Sequence, residues 1–142
     1  MSHKESSKGE LSEPLDLHAA IHQRILANDQ RYQINAYLFI YEALDYTQKA
    51  FGRNPASDDA LERHVTGREL LEGIRRHAIE QFGPLAAAVF RNWGVNRTED
   101  FGEIVFNLVE ADLMGKTDSD TREDFANGYD FDQAFDVPVK IR

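Results

Sequence analysis

Four carboxylates close together near the C-terminal end are the densest group of metal-ligand residue types in the chain: Asp118, Asp120, Glu123 and Asp124. Oxygen donors at this density are typical of sites for Ca²⁺ or Mg²⁺. An EF-hand loop needs glycine at its sixth position and glutamate at its twelfth, where this chain, counted from Asp118, has Glu123 and Tyr129. The same residues suit the first turn of a short helix capped by Ser119, Asp120 or Thr121. We favour the helix cap and leave cation binding open.

Two histidines lie four residues apart in the first predicted helix, at His18 and His22. Residues at this spacing share one helix face, so both imidazoles could reach the same metal ion. Protein zinc sites use at least three protein ligands, and no third ligand is evident near these two in the sequence. We therefore expect surface histidines, with no metal and no other cofactor.

The chain lacks the short motifs that mark many catalytic sites. It has no Gly-x-Gly-x-x-Gly, Gly-x4-Gly-Lys-Ser/Thr, His-Glu-x-x-His or Gly-x-Ser-x-Gly, and it has no cysteine. A recognisable phosphate loop, zinc-protease helix, nucleophile elbow or thiolate site is therefore excluded. An enzyme of unidentified type remains an alternative that a deep pocket with convergent polar groups would favour.

Aromatic residues recur through the second predicted helix and could line a ligand groove together with the single tryptophan: Tyr32, Tyr37, Tyr41, Tyr46 and Trp93. Aromatic side chains at helical spacing are more typical of a packed core. We therefore favour the core interpretation over a small-molecule pocket.

The main functional candidate is the polar face of a helix predicted to begin near residue 98, formed by Glu99, Glu103, Asn107 and Glu110. This face lies opposite an inward stripe that includes Phe101, Ile104 and Leu108. A helix that follows a tight turn at Gly94 is typical of winged-helix DNA-binding proteins, but this face offers no Lys or Arg for reading base edges. We expect the face to bind a protein and keep a winged-helix transcriptional regulator as the alternative.

The negative charge of the chain is concentrated in one segment. The net charge is -9, and residues 98–136 hold 12 acidic residues against Lys116 and Arg122, a balance of -10. Such a segment repels phosphate backbones, so we do not expect nucleic acid as a partner. The alternatives left are a solvated acidic surface and a docking face for a partner protein of basic character.

Amphipathic periodicity predicts five helices that position these residues, over residues 15–28, 32–51, 66–82, 84–93 and from residue 98 onward. Thr66 and Glu69 have the spacing of a capping box at the start of the third helix. Thr98 is expected to cap the fifth, with Glu99 and Asp100 near its positive end.

The predicted fold class is mainly α, in one domain over residues 15–142 that follows a disordered tail over residues 1–14. Residues 65–116 are expected to form a winged-helix-like core, and the aromatic residues of an acidic tail, 117–142, to pack onto it. A strand near 113–116 is expected to pair with another near 137–141 as a small wing. The N-terminal residues do not read as a signal peptide or membrane segment, so we expect a cytoplasmic protein without membrane association. The oligomeric state stays open.

Several longer strings are similar to a known family: YEALDYT at 41–47, HVTGRELLEGI at 64–74, QFGPLA at 81–86 and TEDFGEIVFNLVEA at 98–111. The chain resembles an uncharacterised family of small proteins from planctomycete and verrucomicrobial bacteria. The likeness extends from about residue 15 to residue 135. It implies no activity, cofactor or catalytic residue.

Overall fold

The computed structural model describes residues 1–3, 16–54 and 56–139 and confirms the mainly helical class. The elements in chain order are β1 (Ser2–His3), α1 (Leu17–Ile21) continued by a π-helix (His22–Leu26), α2 (Ile34–Ala50), α3 (Ala60–Arg63), α4 (Gly67–Phe82), a 3-10 turn (Gly83–Leu85), α5 (Ala86–Asn92), α6 (Thr98–Glu110), β2 (Met114–Gly115), a 3-10 helix (Arg122–Phe125) and α7 (Phe131–Ala134). The five predicted helices are present, and the one-turn helices α3 and α7 are additions that the periodicity did not indicate.

The centre of the core is the contact between α2 and α4. Tyr37 and Leu44 on α2 and Ile74 on α4 are fully buried. Gly73 lets the two helices approach closely, because a Cβ at this position would lie 1.7 Å from the Thr47 side-chain oxygen. The Thr47 hydroxyl donates a hydrogen bond to the Ala43 carbonyl at 2.7 Å, so its own helix satisfies this buried group.

The predicted capping box at the start of α4 is confirmed. The Thr66 hydroxyl accepts the Glu69 backbone N–H at 3.1 Å, and the Glu69 carboxylate accepts the Thr66 backbone N–H at 2.9 Å. Two donors that a helix start leaves unsatisfied are therefore paired, which fixes where α4 begins.

The turn between α5 and α6 brings the loop before α2 close to α6. Gly94 has a φ of +93°, and a Cβ on it would lie 2.4 Å from the Arg31 carbonyl oxygen. The Gln33 backbone N–H donates to the Trp93 carbonyl at 3.1 Å. Only glycine accommodates both this backbone conformation and this approach. The loop of residues 29–33 is thereby anchored beside the start of α6.

Thr98 has a different role from the predicted cap. It is the first residue of α6 and is 1% exposed, and its hydroxyl donates to the Phe125 carbonyl at 2.7 Å and accepts the Gly128 N–H at 3.0 Å. The Asp100 carboxylate accepts the Asn96 N–H at 2.9 Å instead. The cap prediction was wrong because a long-range contact buries this threonine, which local sequence does not reveal.

The aromatic tail packs onto the helices as predicted. Phe125, Phe131 and Phe135 are buried, and the Tyr129 hydroxyl donates to the Leu71 carbonyl at 2.8 Å. Rings of the tail also surround Phe90 of α5, with centroids of Phe131 and Phe135 at 5.7 and 5.6 Å. The tail therefore closes the core between α5 and α6.

The expected strand at 113–116 exists, but its partner differs. Met114–Gly115 pairs antiparallel with Ser2–His3, with Ser2 opposite Gly115, and residues 137–139 form no strand. The sequence suggested residues 137–141, the segment nearer along the chain, whereas Ser2 and His3 form the pairs and Met1 beside them is buried. The predicted disordered tail is thus wrong for residues 1–3. Residues 4–15, and residues 140 and 141 of the expected second strand, lie outside the described residues.

Candidate functional site

Arginines from two other segments lie against the acidic face of α6. The Glu103 carboxylate is 3.6 Å from the Arg31 guanidinium and 3.5 Å from that of Arg122, so it is half-buried between them. Glu99 accepts the Asn127 N–H at 3.4 Å at the start of the helix. These two carboxylates are engaged within the chain, and the predicted open acidic face is partly neutralised.

Asn107 is held from the protein side. Its side-chain amide donates one hydrogen bond to Asp29 at 3.1 Å and another to the Tyr37 hydroxyl at 3.0 Å. Because both amide hydrogens are used, the group that Asn107 has left to offer is its acceptor oxygen. The orientation of this side chain is therefore fixed by a buried tyrosine and an aspartate.

Asn107 and Glu110 line one cavity of about 400 Å³ with residues of the π-helix and the following loop: Arg24, Ile25, Asn28, Asp29 and Ala111. We call this cavity the α1–α6 pocket. The Glu110 side chain is 70% exposed, and its carboxylate lies 3.8 Å from the Arg122 guanidinium. Arg24 donates to the Ala111 carbonyl at 3.0 Å, which ties the π-helix to the end of α6. Two of the four predicted site residues thus face a shared cavity.

Asp29 contributes a carboxylate that stays ionised. The Arg31 guanidinium bonds to it at 2.7 and 3.1 Å and holds the pKa of this carboxyl far below its usual range, against the opposing effect of burial. Asn107 donates to the same carboxylate. The wall of the α1–α6 pocket therefore holds an ionised carboxylate whose charge Arg31 balances in part.

Sequence reasoning did not identify Asp29, Arg31 or Arg122 as neighbours of α6. The Arg24 contact with Ala111 spans 87 residues of sequence, and the Asn107 contact with Asp29 spans 78. Separations of this size leave no mark in helical periodicity. The turn at Gly94 was the one signal that could have placed the loop of residues 29–33 here.

The four carboxylates near the C-terminal end do not converge on a cation site. Asp120 is buried and contacts the His64 imidazole at 2.9 Å, the Thr117 N–H at 2.8 Å and the Met1 ammonium at 3.6 Å. Burial raises its pKa, but these bonds outweigh burial and the net pKa is lowered. Thr121, one of the three predicted caps, is the N-cap of the 3-10 helix, and Asp124 in its first turn accepts the Thr121 N–H at 3.0 Å. Asp118 and Glu123 are exposed.

The rings of His18 and His22 lie 4.9 Å apart on exposed positions, as their spacing predicts. In the described part of the chain, no group of three or more His, Asp or Glu side chains could hold a metal ion.

A second cavity, of about 460 Å³, lies beside His64 and bears on the enzyme alternative. Arg53 lines it, but its guanidinium donates hydrogen bonds to the Phe51 and His64 carbonyls and to the Glu69 carboxylate. The Thr66 hydroxyl in the same wall caps α4. The His64 imidazole and the Asp120 carboxylate have the geometry of a base and its orienting carboxylate. The polar side chains of Arg53, Thr66 and Glu69 beside them make structural hydrogen bonds, so the enzyme alternative gains no convergent polar groups from them.

In comparisons with known proteins, no protein family, no curated protein and no solved structure matched the chain. The resemblance to the planctomycete and verrucomicrobial family and the winged-helix likeness of residues 65–116 therefore stay predictions. No helix within the described ranges is both long enough and apolar enough to cross a membrane.

Proposed function

We propose that this chain is a non-enzymatic, cytoplasmic interaction module that receives a basic side chain of a partner protein in the α1–α6 pocket. The observation that supports this most is the joint presence of Glu110 and the oriented Asn107 in one cavity. A carboxylate and an amide oxygen at one site accept the donors of a guanidinium or ammonium group.

The concave shape of the site matters for its strength. An exposed carboxylate such as Glu110 gains little from a surface ion pair, because solvent screens the attraction. A side chain that enters the cavity loses part of its water and meets several acceptors at once. The ionised Asp29 in the wall adds to the attraction, while Arg24 and Arg31 limit it.

The surrounding charge supports the same class of partner. Residues 98–136 carry a balance of -10, and exposed carboxylates such as Asp118 and Asp136 belong to that segment. A field of this sign raises the rate at which a basic partner is encountered and weakens with rising salt. The geometry does not favour DNA binding through α6, because the Arg122–Phe125 helix packs against α6 and the outer face of α6 carries Glu99, Glu103 and Glu110, which repel phosphates.

The proposal is tested with a pair of charge reversals. Glu110→Lys places a cation in the α1–α6 pocket. Asp58→Lys changes the net charge equally at an exposed position before α3, outside this pocket. Binding of a fluorescently labelled arginine-rich peptide is measured by anisotropy at one fixed salt concentration.

We expect Glu110→Lys to weaken peptide binding at least about fivefold, the scale of one surface charge interaction, and Asp58→Lys to weaken it less. Equal losses in both variants would show a general charge effect without a specific pocket. No loss in either would show that the peptide binds elsewhere or does not bind. Either result refutes the proposal.

A further inference from the structure

A small cavity between α2, the end of α4 and Trp93 has aromatic walls. Phe39, Phe82 and Trp93 line this cavity of about 200 Å³, which we call the aromatic pocket. The ring centroids lie 5.6 Å apart for Phe39 and Phe82, and Trp93 is 5.9 Å from each. The rings are tilted or perpendicular to one another, so the wall is a rigid cluster of aromatic rings. Phe82 and Trp93 are half-buried, which leaves ring surface available.

One carboxylate stands at the rim of the aromatic pocket. Glu42 lines the cavity and its side chain is 64% exposed, and the lining contributed by the described residues contains no lysine or arginine. Asn35 and Gln81 add neutral amide groups. The site therefore combines aromatic ring surface with one negative charge that no lining cation neutralises.

A buried histidine holds that carboxylate in place. His77 is 6% exposed, and its Nε2 lies 3.0 Å from the Glu42 carboxylate. Its ring is stacked on Phe39 at 5.1 Å and contacts Tyr46 at 5.0 Å. Because packing fixes the imidazole, the hydrogen bond fixes the Glu42 oxygen that it reaches. The second carboxylate oxygen of Glu42 makes no hydrogen bond among the described contacts.

We propose that the aromatic pocket binds a quaternary or methylated ammonium group. The negative faces of aromatic rings attract cations, and weakly hydrated organic ammonium groups are the cations that such sites favour. A hard metal ion would need several more oxygen ligands than one carboxylate supplies. The cavity is small enough to restrict the bound part to a headgroup, with any attached chain directed to solvent.

The experiment uses choline and its neutral carbon isostere 3,3-dimethylbutan-1-ol, which has nearly the same shape without the charge. Trp93 is the one tryptophan of the chain, so its fluorescence and its indole N–H resonance report on this pocket alone. Each ligand is titrated into the full chain at constant ionic strength. The NMR signal covers the case in which binding leaves the fluorescence unchanged.

We expect choline to bind at least about threefold more tightly than the isostere, which is the effect of one partly exposed cation–π contact. Glu42→Gln keeps the size of the side chain and should bring the choline affinity down towards that of the isostere. Glu123→Gln removes the same charge at an exposed position outside the pocket and should leave both affinities unchanged.

Three results would overturn the proposal. Equal affinities of choline and the isostere would show an apolar cavity without cation preference. Equal effects of Glu42→Gln and Glu123→Gln would show that only the overall charge matters. A Trp93 indole signal that moves with neither ligand would show that nothing enters the aromatic pocket. None of these results bears on the α1–α6 pocket, which has different residues and a different probe.

Discussion

Substitution of Thr98 tests most sharply how the segment of residues 125–128 is attached to α6. Its buried hydroxyl bonds to the Phe125 carbonyl at 2.7 Å and to the Gly128 N–H at 3.0 Å. Thr98→Val keeps the shape and removes both bonds, leaving a carbonyl and an N–H without their partner. Unsatisfied groups of this kind cost about 1–3 kcal/mol, so we expect a loss of about 2 kcal/mol in the free energy of unfolding. For a chain of this length that corresponds to about 4–8 °C in Tm.

Chemical denaturation measures this loss as a lower midpoint with an unchanged slope. Thr98→Asn separates the two roles considered for this residue. If Thr98 were a helix cap, asparagine would cap equally well and stability would be kept. In the buried position, asparagine has nearly the volume of threonine, but its amide donor and acceptor lie on two separate atoms one bond further from Cβ than the hydroxyl. They cannot occupy the hydroxyl position, so we expect a loss similar to that of Thr98→Val. A Thr98→Asn variant as stable as the wild type would refute the attachment described here.

Two further changes test the core and the buried acid. Gly73→Ala should destabilise by about 1–3 kcal/mol by overpacking, despite the higher helix propensity of alanine, and Thr47→Ala in the same chain should restore part of the loss; denaturation midpoints that stay unchanged would contradict the close contact of α2 and α4. The lowered pKa of Asp120 means that its contribution to stability is present above its unfolded pKa, about 4, and is lost as the pH falls through the folded value. Asp120→Asn should therefore show a smaller fall in unfolding free energy below about pH 4 than the wild type, and identical pH profiles would contradict this role.

The sequence was informative where neighbours along the chain decide the structure. The capping box of Thr66 and Glu69 and the inward stripe of α6 follow from spacing alone, since both depend on contacts within four residues. Ile104 and Leu108 of that stripe are fully buried, as predicted. The burial of Phe125 and Phe131 was also foreseeable, because aromatic residues in an otherwise polar segment need a surface to pack on.

The errors have a shared physical cause. Thr98 resembled a cap because its neighbours are polar, and its partner Phe125 is 27 residues away. The partner strand of Met114–Gly115 comes from the opposite end of the chain. The α6 face looked uniformly acidic because Arg31 and Arg122 approach it only in the folded chain. Pairings over such distances depend on how helices stack, which periodicity does not encode.

The residues of the two pockets also divide into those that local sequence indicates and those that only the folded chain brings together. Glu110 and Asn107 were identified from the sequence, but Asp29 and Arg24, which complete the α1–α6 pocket, were not. Trp93 was considered together with the tyrosines of α2, whereas the structure places it against Phe39 and Phe82. Tyr37 and Tyr32 are instead buried, and the Tyr32 hydroxyl donates to Asp100 at 2.6 Å.

The most direct test of the proposed function is to map where a basic peptide contacts the chain. Two-dimensional NMR of the isotope-labelled protein is recorded as the arginine-rich peptide is added, with a neutral peptide of the same length as control. We predict that the largest shifts fall on the backbone amides of Asn28, Asn107 and Ala111 and on the side-chain amides of the two asparagines, all at the α1–α6 pocket. The neutral peptide should leave these signals in place. Shifts spread over residues 118–136 with these amides unmoved would contradict the account, because they would show that the acidic segment attracts the peptide without binding in the pocket.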